Sequence, residues 1–105
     1  MIQYIVAYED DNMESPVSVY DTEKSLGDIF TFNDNANIHE FFNELYKLKA
    51  EGAKMPKGGL VQVKDTDLNE LTTRYPADEN AEELSKEVLA AMDTYPDAVF
   101  FYTFE

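Results

Sequence analysis

Residues 2–8 are apolar, β-branched or aromatic, with Ile2, Tyr4, Val6 and Tyr8 alternating against Gln3, Ile5 and Ala7. Such alternation predicts a strand that is partly buried on both faces. It stops at Glu9, Asp10, Asp11 and Asn12. After Pro16, the runs 17–20 (Val-Ser-Val-Tyr) and 28–32 (Asp-Ile-Phe-Thr-Phe) flank a polar stretch ending in Leu26 and Gly27, an arrangement that predicts a hairpin.

Two long helices follow from periodicity. Asn37 with Glu40 three residues on fits a capping box, and Ile38, Phe41, Phe42, Leu45 and Leu48 recur at helical spacing until Gly52. The second begins near Asn80 with Glu83 in the capping-box position; its stripe is Ala81, Leu84, Val88 and Met92, with Leu89 and Tyr95 beside it, and Pro96 ends it. Between them, residues 53–59 read as a loop and 60–63 as a strand. Asp67 with Glu70 caps a short helical turn carrying Leu68 and Leu71, which ends before Tyr75 and Pro76. The run 98–104 is apolar on both alternating faces, as a central strand requires. These elements predict a single α+β domain over 1–105: about four mostly antiparallel strands with two long helices packed on one face. A mass of 12.0 kDa agrees, since such a chain folds to roughly 6,000 Å² of surface from roughly 17,400 Å² unfolded.

Charge adds what the pattern lacks. The chain holds 22 Asp plus Glu against 8 Lys plus Arg, a formal net charge of −14. With 44% hydrophobic and 13% aromatic residues it still has the core material that disordered acidic chains lack. Direct binding of nucleic acid is disfavoured, because that affinity rests on cations neutralising phosphates, and an anionic membrane surface is disfavoured for the same reason. The acidity is also uneven: residues 1–37 carry −7, residues 38–64 carry +2 and residues 65–105 carry −9. Glu9, Asp10, Asp11 and Glu14 form one dense cluster, and Glu79, Glu82, Glu83 and Glu87 fall on the side of the second helix opposite its apolar stripe. Solubility of a small domain needs a net charge of only about 2 to 8 in magnitude, so the excess calls for another reason.

Catalytic chemistry finds little to work with. There is no cysteine, which removes thiolate catalysis and cysteine zinc sites. His39, the single histidine, lacks a nucleophile or orienting partner at recognisable spacing and reads as a plain surface residue. Arg74 is the sole arginine, so no bidentate phosphoryl clamp can be built. Two stretches, Asp10-Asn12-Glu14 and Asp65-Asp67-Asn69, space oxygen ligands like a calcium loop, but Ser15 and Glu70 stand where glycine is needed, and Asp21 and Pro76 where a bidentate glutamate is needed. Lys54 and Lys57 beside Gly58 and Gly59 would attract an anion, although a turn accounts for them equally. The aromatic set Tyr4, Tyr8, Phe100, Tyr102 and Phe104 lacks the basic groove that a base-stacking platform requires.

The expectation is therefore a non-enzymatic module without metal or cofactor. Its partner-binding residues are Glu9, Asp10, Asp11, Glu14, Glu79, Glu82, Glu83 and Glu87, and its partner is a basic protein, a nucleic-acid-binding enzyme or regulator, whose site it blocks by presenting a comparable anionic field. Inhibitors of that kind occur among phage-encoded host-takeover proteins and nuclease immunity proteins, an analogy of composition and size alone. The alternative is a structural or assembly subunit that forms homo-oligomers through its aromatic C-terminal strand, its charge serving solubility. The N-terminal residues lack the basic start and apolar core of a signal peptide, and no run approaches a membrane span, so a cytoplasmic location is expected.

Overall fold

The computed structural model describes residues 1–9, 17–19 and 25–105. Eight elements follow in order: β1 (Ile2–Glu9), β2 (Val17–Val19), β3 (Ser25–Asn33), α1 (Ala36–Lys49), β4 (Gly59–Val63), α2 (Asp65–Arg74), α3 (Glu79–Thr94) and β5 (Ala98–Phe104). Four strands of five to nine residues and the three-residue β2 form one sheet, ordered β2-β4-β5-β1-β3. Every ladder is antiparallel. This is the expected α+β architecture.

β1 and β5 occupy the middle because both bury side chains on both faces. Their register runs from Gln3↔Phe104 to Glu9↔Ala98. On the helix side, Ile5, Ala7, Val61, Val63, Phe100 and Tyr102 pack against Ile38, Phe41, Phe42, Leu68, Leu71, Leu84 and Val88. A second cluster, Val6, Tyr8, Leu60 and Phe101, is buried on the opposite face, where Tyr8 meets the Phe101 ring edge-on at 5.5 Å. The aromatic run at the C-terminus is thus core material. With β5 paired to β1 on one side and to β4 on the other, it has no free edge for another copy to join.

The expected hairpin between 17–20 and 28–32 does not form. β3 starts earlier, at Ser25, and pairs with β1, while β2 pairs with β4 at the far edge of the sheet. Register decides this: pairing Phe30 with Ile5 and Phe32 with Gln3 puts β3's aromatic rings on the face the helices cover, a gain that local turn residues cannot match.

Helix boundaries shift by a few residues for identifiable reasons. α1 is capped by Asn35, whose side-chain oxygen accepts from the Ile38 N–H at 3.0 Å, while Asn37 lies inside the helix. Asn35 outcompetes Asn37 because its own N–H and C=O are already held by Gln3. α3 likewise starts at Glu79, its cap being Asp78, which accepts from Ala81 N–H at 3.2 Å. The short turn expected around Asp67 is a ten-residue helix, α2, with the Asp67 carboxylate accepting from Lys64 N–H at 2.9 Å. At the end of α1 the left-handed residue is Glu51 (φ 55°), and Gly52 (φ 87°) returns its N–H to the Lys47 carbonyl.

Apolar stripes are trimmed at their ends. Leu48, on the expected stripe of α1, is 83% exposed, and Tyr46 is buried instead. On α3, Ala81, Leu84 and Val88 are fully buried, whereas Leu89 and Tyr95 are 37% and 52% exposed.

Candidate functional site

α3 presents a row of carboxylates because its buried residues, Ala81, Leu84, Ser85 and Val88, occupy one side of the helix. Glu79, Glu82, Glu83 and Glu87 are all exposed, and among the described residues none of the four is held in a salt bridge. Glu79 and Glu82 lie in the first turn, where the positive end of the helix dipole favours them. Asp93 continues the row, and Asp97 follows beyond Pro96. From Glu79 to Asp93 the helix rises about 21 Å.

The other expected cluster is only touched by the structure. Asp10, Asp11 and Glu14 lie outside the described residues, as does the Glu9 side chain; the Glu9 backbone ends β1 opposite Ala98, one residue after Asp97. The register therefore brings the end of the first acidic cluster's strand to the end of the sheet where α3 finishes.

Apart from Lys86 on α3 itself, the described lysines are segregated from this row. Lys47, Lys49, Lys54, Lys57 and Lys64 are exposed on the last turns of α1, the loop after it and the end of β4. Lys49 Nζ approaches the Gln62 carbonyl at 3.5 Å, and burial first, with Lys64 nearby, holds its ammonium below the ordinary lysine range. Arg74 is committed to structure: it bridges Glu44 at 2.7 Å and Glu70 at 3.3 Å and lies over the Phe41 ring at 5.1 Å.

His39 is not the plain surface residue expected. It is half-buried, its ring edge-on to Phe104 at 4.5 Å, with Nδ1 2.9 Å from the hydroxyl of fully buried Tyr102. Gln3, also fully buried, donates one amide N–H to that hydroxyl and one to the Asn35 carbonyl, each at 3.0 Å, and accepts from the Asn35 N–H at 2.7 Å. The Asn35 side chain then donates to the Asp78 carboxylate at 3.1–3.2 Å. One network thus ties β1, β5 and the caps of both long helices together. With the Tyr102 hydroxyl accepting from Gln3, the arrangement that also uses its own proton has it donate to His39 Nδ1, with the imidazole proton on Nε2. Burial raises the Tyr102 phenol pKa well above its ordinary value, so it remains a donor.

Burial, and then the charge of Lys54, lower the His39 pKa from its ordinary 6.5. A depressed folded pKa means the unfolded chain binds the proton more readily. The stability His39 contributes is therefore complete above pH 6.5 and lost as pH falls through the lowered value. Unfolding free energy of the native chain is expected to fall from pH 7 to about 5.5 relative to His39→Asn, which keeps an acceptor near the Nδ1 position. Parallel pH profiles for the two chains, measured by urea denaturation, would contradict this assignment.

Other candidate chemistry resolves into structure. Asp65, Asp67 and Asn69 lie on α2, a helix and not an ion-binding loop, and Asp65 accepts from Thr66 N–H. Among the described residues no three His, Cys, Asp or Glu side chains are grouped to hold a metal. The Gly58 and Gly59 N–H groups are spent on the Phe104 and Pro56 carbonyls, so this turn offers no cradle to an anion. Phe100, Tyr102 and Phe104 face the helices while Tyr4 and Tyr8 belong with the opposite cluster, so the five rings form no common platform. An open groove of about 590 Å³ at the end of the sheet is lined by Lys64, Asp65, Leu89, Met92, Asp93 and Tyr95, its lysine and both carboxylates exposed to solvent. Among the described residues no helix is long and apolar enough to cross a membrane.

What residue-by-residue reading missed is the Gln3 network, whose one signal was a glutamine among inward-facing apolar positions of a strand. Comparison of the chain with protein-family models, with curated proteins and with solved structures returns no match to any of them.

Proposed function

We propose that this chain is a non-enzymatic acidic binding module that docks on a basic, nucleic-acid-binding surface of a partner protein and occludes it, in the cytoplasm. The observation that carries the reading is the row of exposed glutamates on α3, free of salt bridges among the described residues although the chain has eight cations. Counting Asp93 and offsetting Lys86, α3 presents about one net negative charge per 5 Å of helix, against about one per 3.4 Å along a single DNA strand. A rigid helix holding such a row offers a partner's Lys and Arg a nucleic-acid-like surface without the entropy cost of ordering a flexible tail. The reading includes the nucleic-acid mimics and immunity-type inhibitors that phages and their hosts employ.

The test is capture of a partner from lysate on the immobilised chain, with elution along a salt gradient and displacement by heparin. Attraction between exposed charges weakens steeply as the screening length shrinks from about 10 Å at 0.1 M salt to about 3 Å at 1 M. A nucleic-acid-binding protein that elutes early, yields to heparin, and loses its nucleic acid when the chain is added is the expected result. Retention through 1 M salt, or a captured protein whose nucleic-acid binding is unaffected, would contradict the proposal.

A further inference from the structure

β3 is the outermost strand on its side of the sheet, and among the described residues no strand pairs with its outer edge. The direction of its free groups follows from the ladder. Ile2 exchanges both backbone hydrogen bonds with Glu105, so by antiparallel alternation Gln3 and Ile5 turn theirs toward their partners Phe32 and Phe30. The N–H and C=O of Thr31 and Asn33 consequently point out of the sheet, and both side chains are exposed. The two irregularities of this ladder fall between Ile5 and Val6 and between Ala7 and Tyr8, leaving Phe30–Asn33 regular.

Edge strands are ordinarily protected by lysines, prolines or bulges. Residues 25–33 contain no Lys, Arg or Pro, and the regular half lacks a bulge. Acidic groups predominate along this edge: Asp28 and Asp34 stand three residues to either side of Thr31, Asp34 already paired with the N-terminal ammonium at 2.6 Å, no Lys or Arg occurs from 25 to 46, and α3 with its exposed glutamates packs on β3. We propose that the outer edge of β3 receives an extended, basic segment of the partner protein by strand addition, backbone pairing at Thr31 and Asn33 supplying register and Asp28 with the neighbouring α3 glutamates selecting Lys and Arg. This rests on the function proposed above and specifies how the partner is held. A second copy of the chain does not suit the edge. Each copy carries a net charge of −14, and self-pairing would bring Asp28 and the α3 glutamates of both copies to one edge.

The probe is a fluorescein-labelled heptapeptide, Lys-Val-Lys-Val-Lys-Val-Lys, with a second version N-methylated at alternate residues to remove its pairing donors while keeping its charge. Thr31→Pro removes only an outward N–H, a change that edge strands tolerate, and fills the pairing position with the ring. By fluorescence anisotropy at low salt, both Thr31→Pro and N-methylation of the peptide are expected to weaken binding at least about tenfold. If Thr31→Pro does not fold, judged by circular dichroism, the N-methylated peptide on the native chain decides alone. Equal affinity for both peptides overturns strand addition, and so does failure of the native chain to bind the probe. If Glu83→Lys with Glu87→Lys still weakens capture of the basic partner in either case, the acidic docking reading survives and only its edge is wrong. Self-association of the native chain that Thr31→Pro abolishes would overturn the proposal in favour of edge pairing between copies.

Discussion

Phe42→Ala is expected to lower the free energy of unfolding by about 3–5 kcal/mol, the range for deleting a buried ring and leaving its cavity. Phe42 is fully buried, stacked on Tyr102 with 4.5 Å between centroids and 16° between planes, and edge-on to Phe41 at 5.2 Å. With His39, it is a contact through which α1 rests on the central strand β5. Its loss also leaves Tyr102 without the wall that positions its hydroxyl for Gln3 and His39. A domain of this size has about 5–15 kcal/mol in total, so the variant falls near the edge of folding. The matched control is Leu48→Ala on the same helix: at 83% exposure, it should change stability by less than about 0.5 kcal/mol. Urea midpoints at constant slope decide the comparison. A loss under about 1.5 kcal/mol at Phe42, or an equal loss at Leu48, would mean that α1 is seated differently on the sheet.

The second large effect concerns binding. Glu83→Lys combined with Glu87→Lys should weaken the captured basic partner by about thirtyfold or more at low salt, since each reversal replaces an attraction with a repulsion and about 2 kcal/mol in all corresponds to that factor. Both residues lie beyond the first turn of α3, where the cost to the helix dipole is small. Lys54→Glu with Lys57→Glu changes the net charge by the same amount with opposite sign, in the basic region. It should alter affinity by no more than about threefold. Equal and opposite changes from the two pairs, a loss at α3 and a matching gain at Lys54 and Lys57, would show that position is irrelevant and that only net charge counts. A loss confined to α3 would assign the contact to the acidic row.

The two predictions draw on different depths of the sequence. Phe42 stands out from spacing alone, because Ile38, Phe41 and Phe42 repeat at 3.6 residues and a helix must bury such a stripe. Leu48 fits the same spacing and is nevertheless exposed: periodicity does not register how far a supporting surface extends. The caps show a similar limit. Asn35, Asn37, Asp78 and Asn80 are all competent N-caps, and the choice among them is made by Gln3 and by the Asn35–Asp78 contact, which come from elements distant in the chain.

His39 and the strand pairings lay further from sight. A histidine beside glutamate and isoleucine in the chain reads as surface, and only the arrival of Tyr102 and Phe104 from β5 makes it part of a polar network. The runs at 17–20 and 28–32 looked like partners because they are neighbours in sequence. They separate to opposite edges, β3 pairing with β1 and β2 with β4.

By itself, then, the sequence determined the element types, the α+β class, the central character of the last strand and the uneven distribution of charge, all of which depend on local periodicity and composition. Tertiary structure alone decided which strands pair, which cap begins each helix, which stripe residues stay in water, and that the arginine is committed while, among the described residues, the α3 glutamates have no ion pair. Those outcomes depend on contacts between residues far apart in the chain, where burial and hydrogen-bond satisfaction outweigh any local preference.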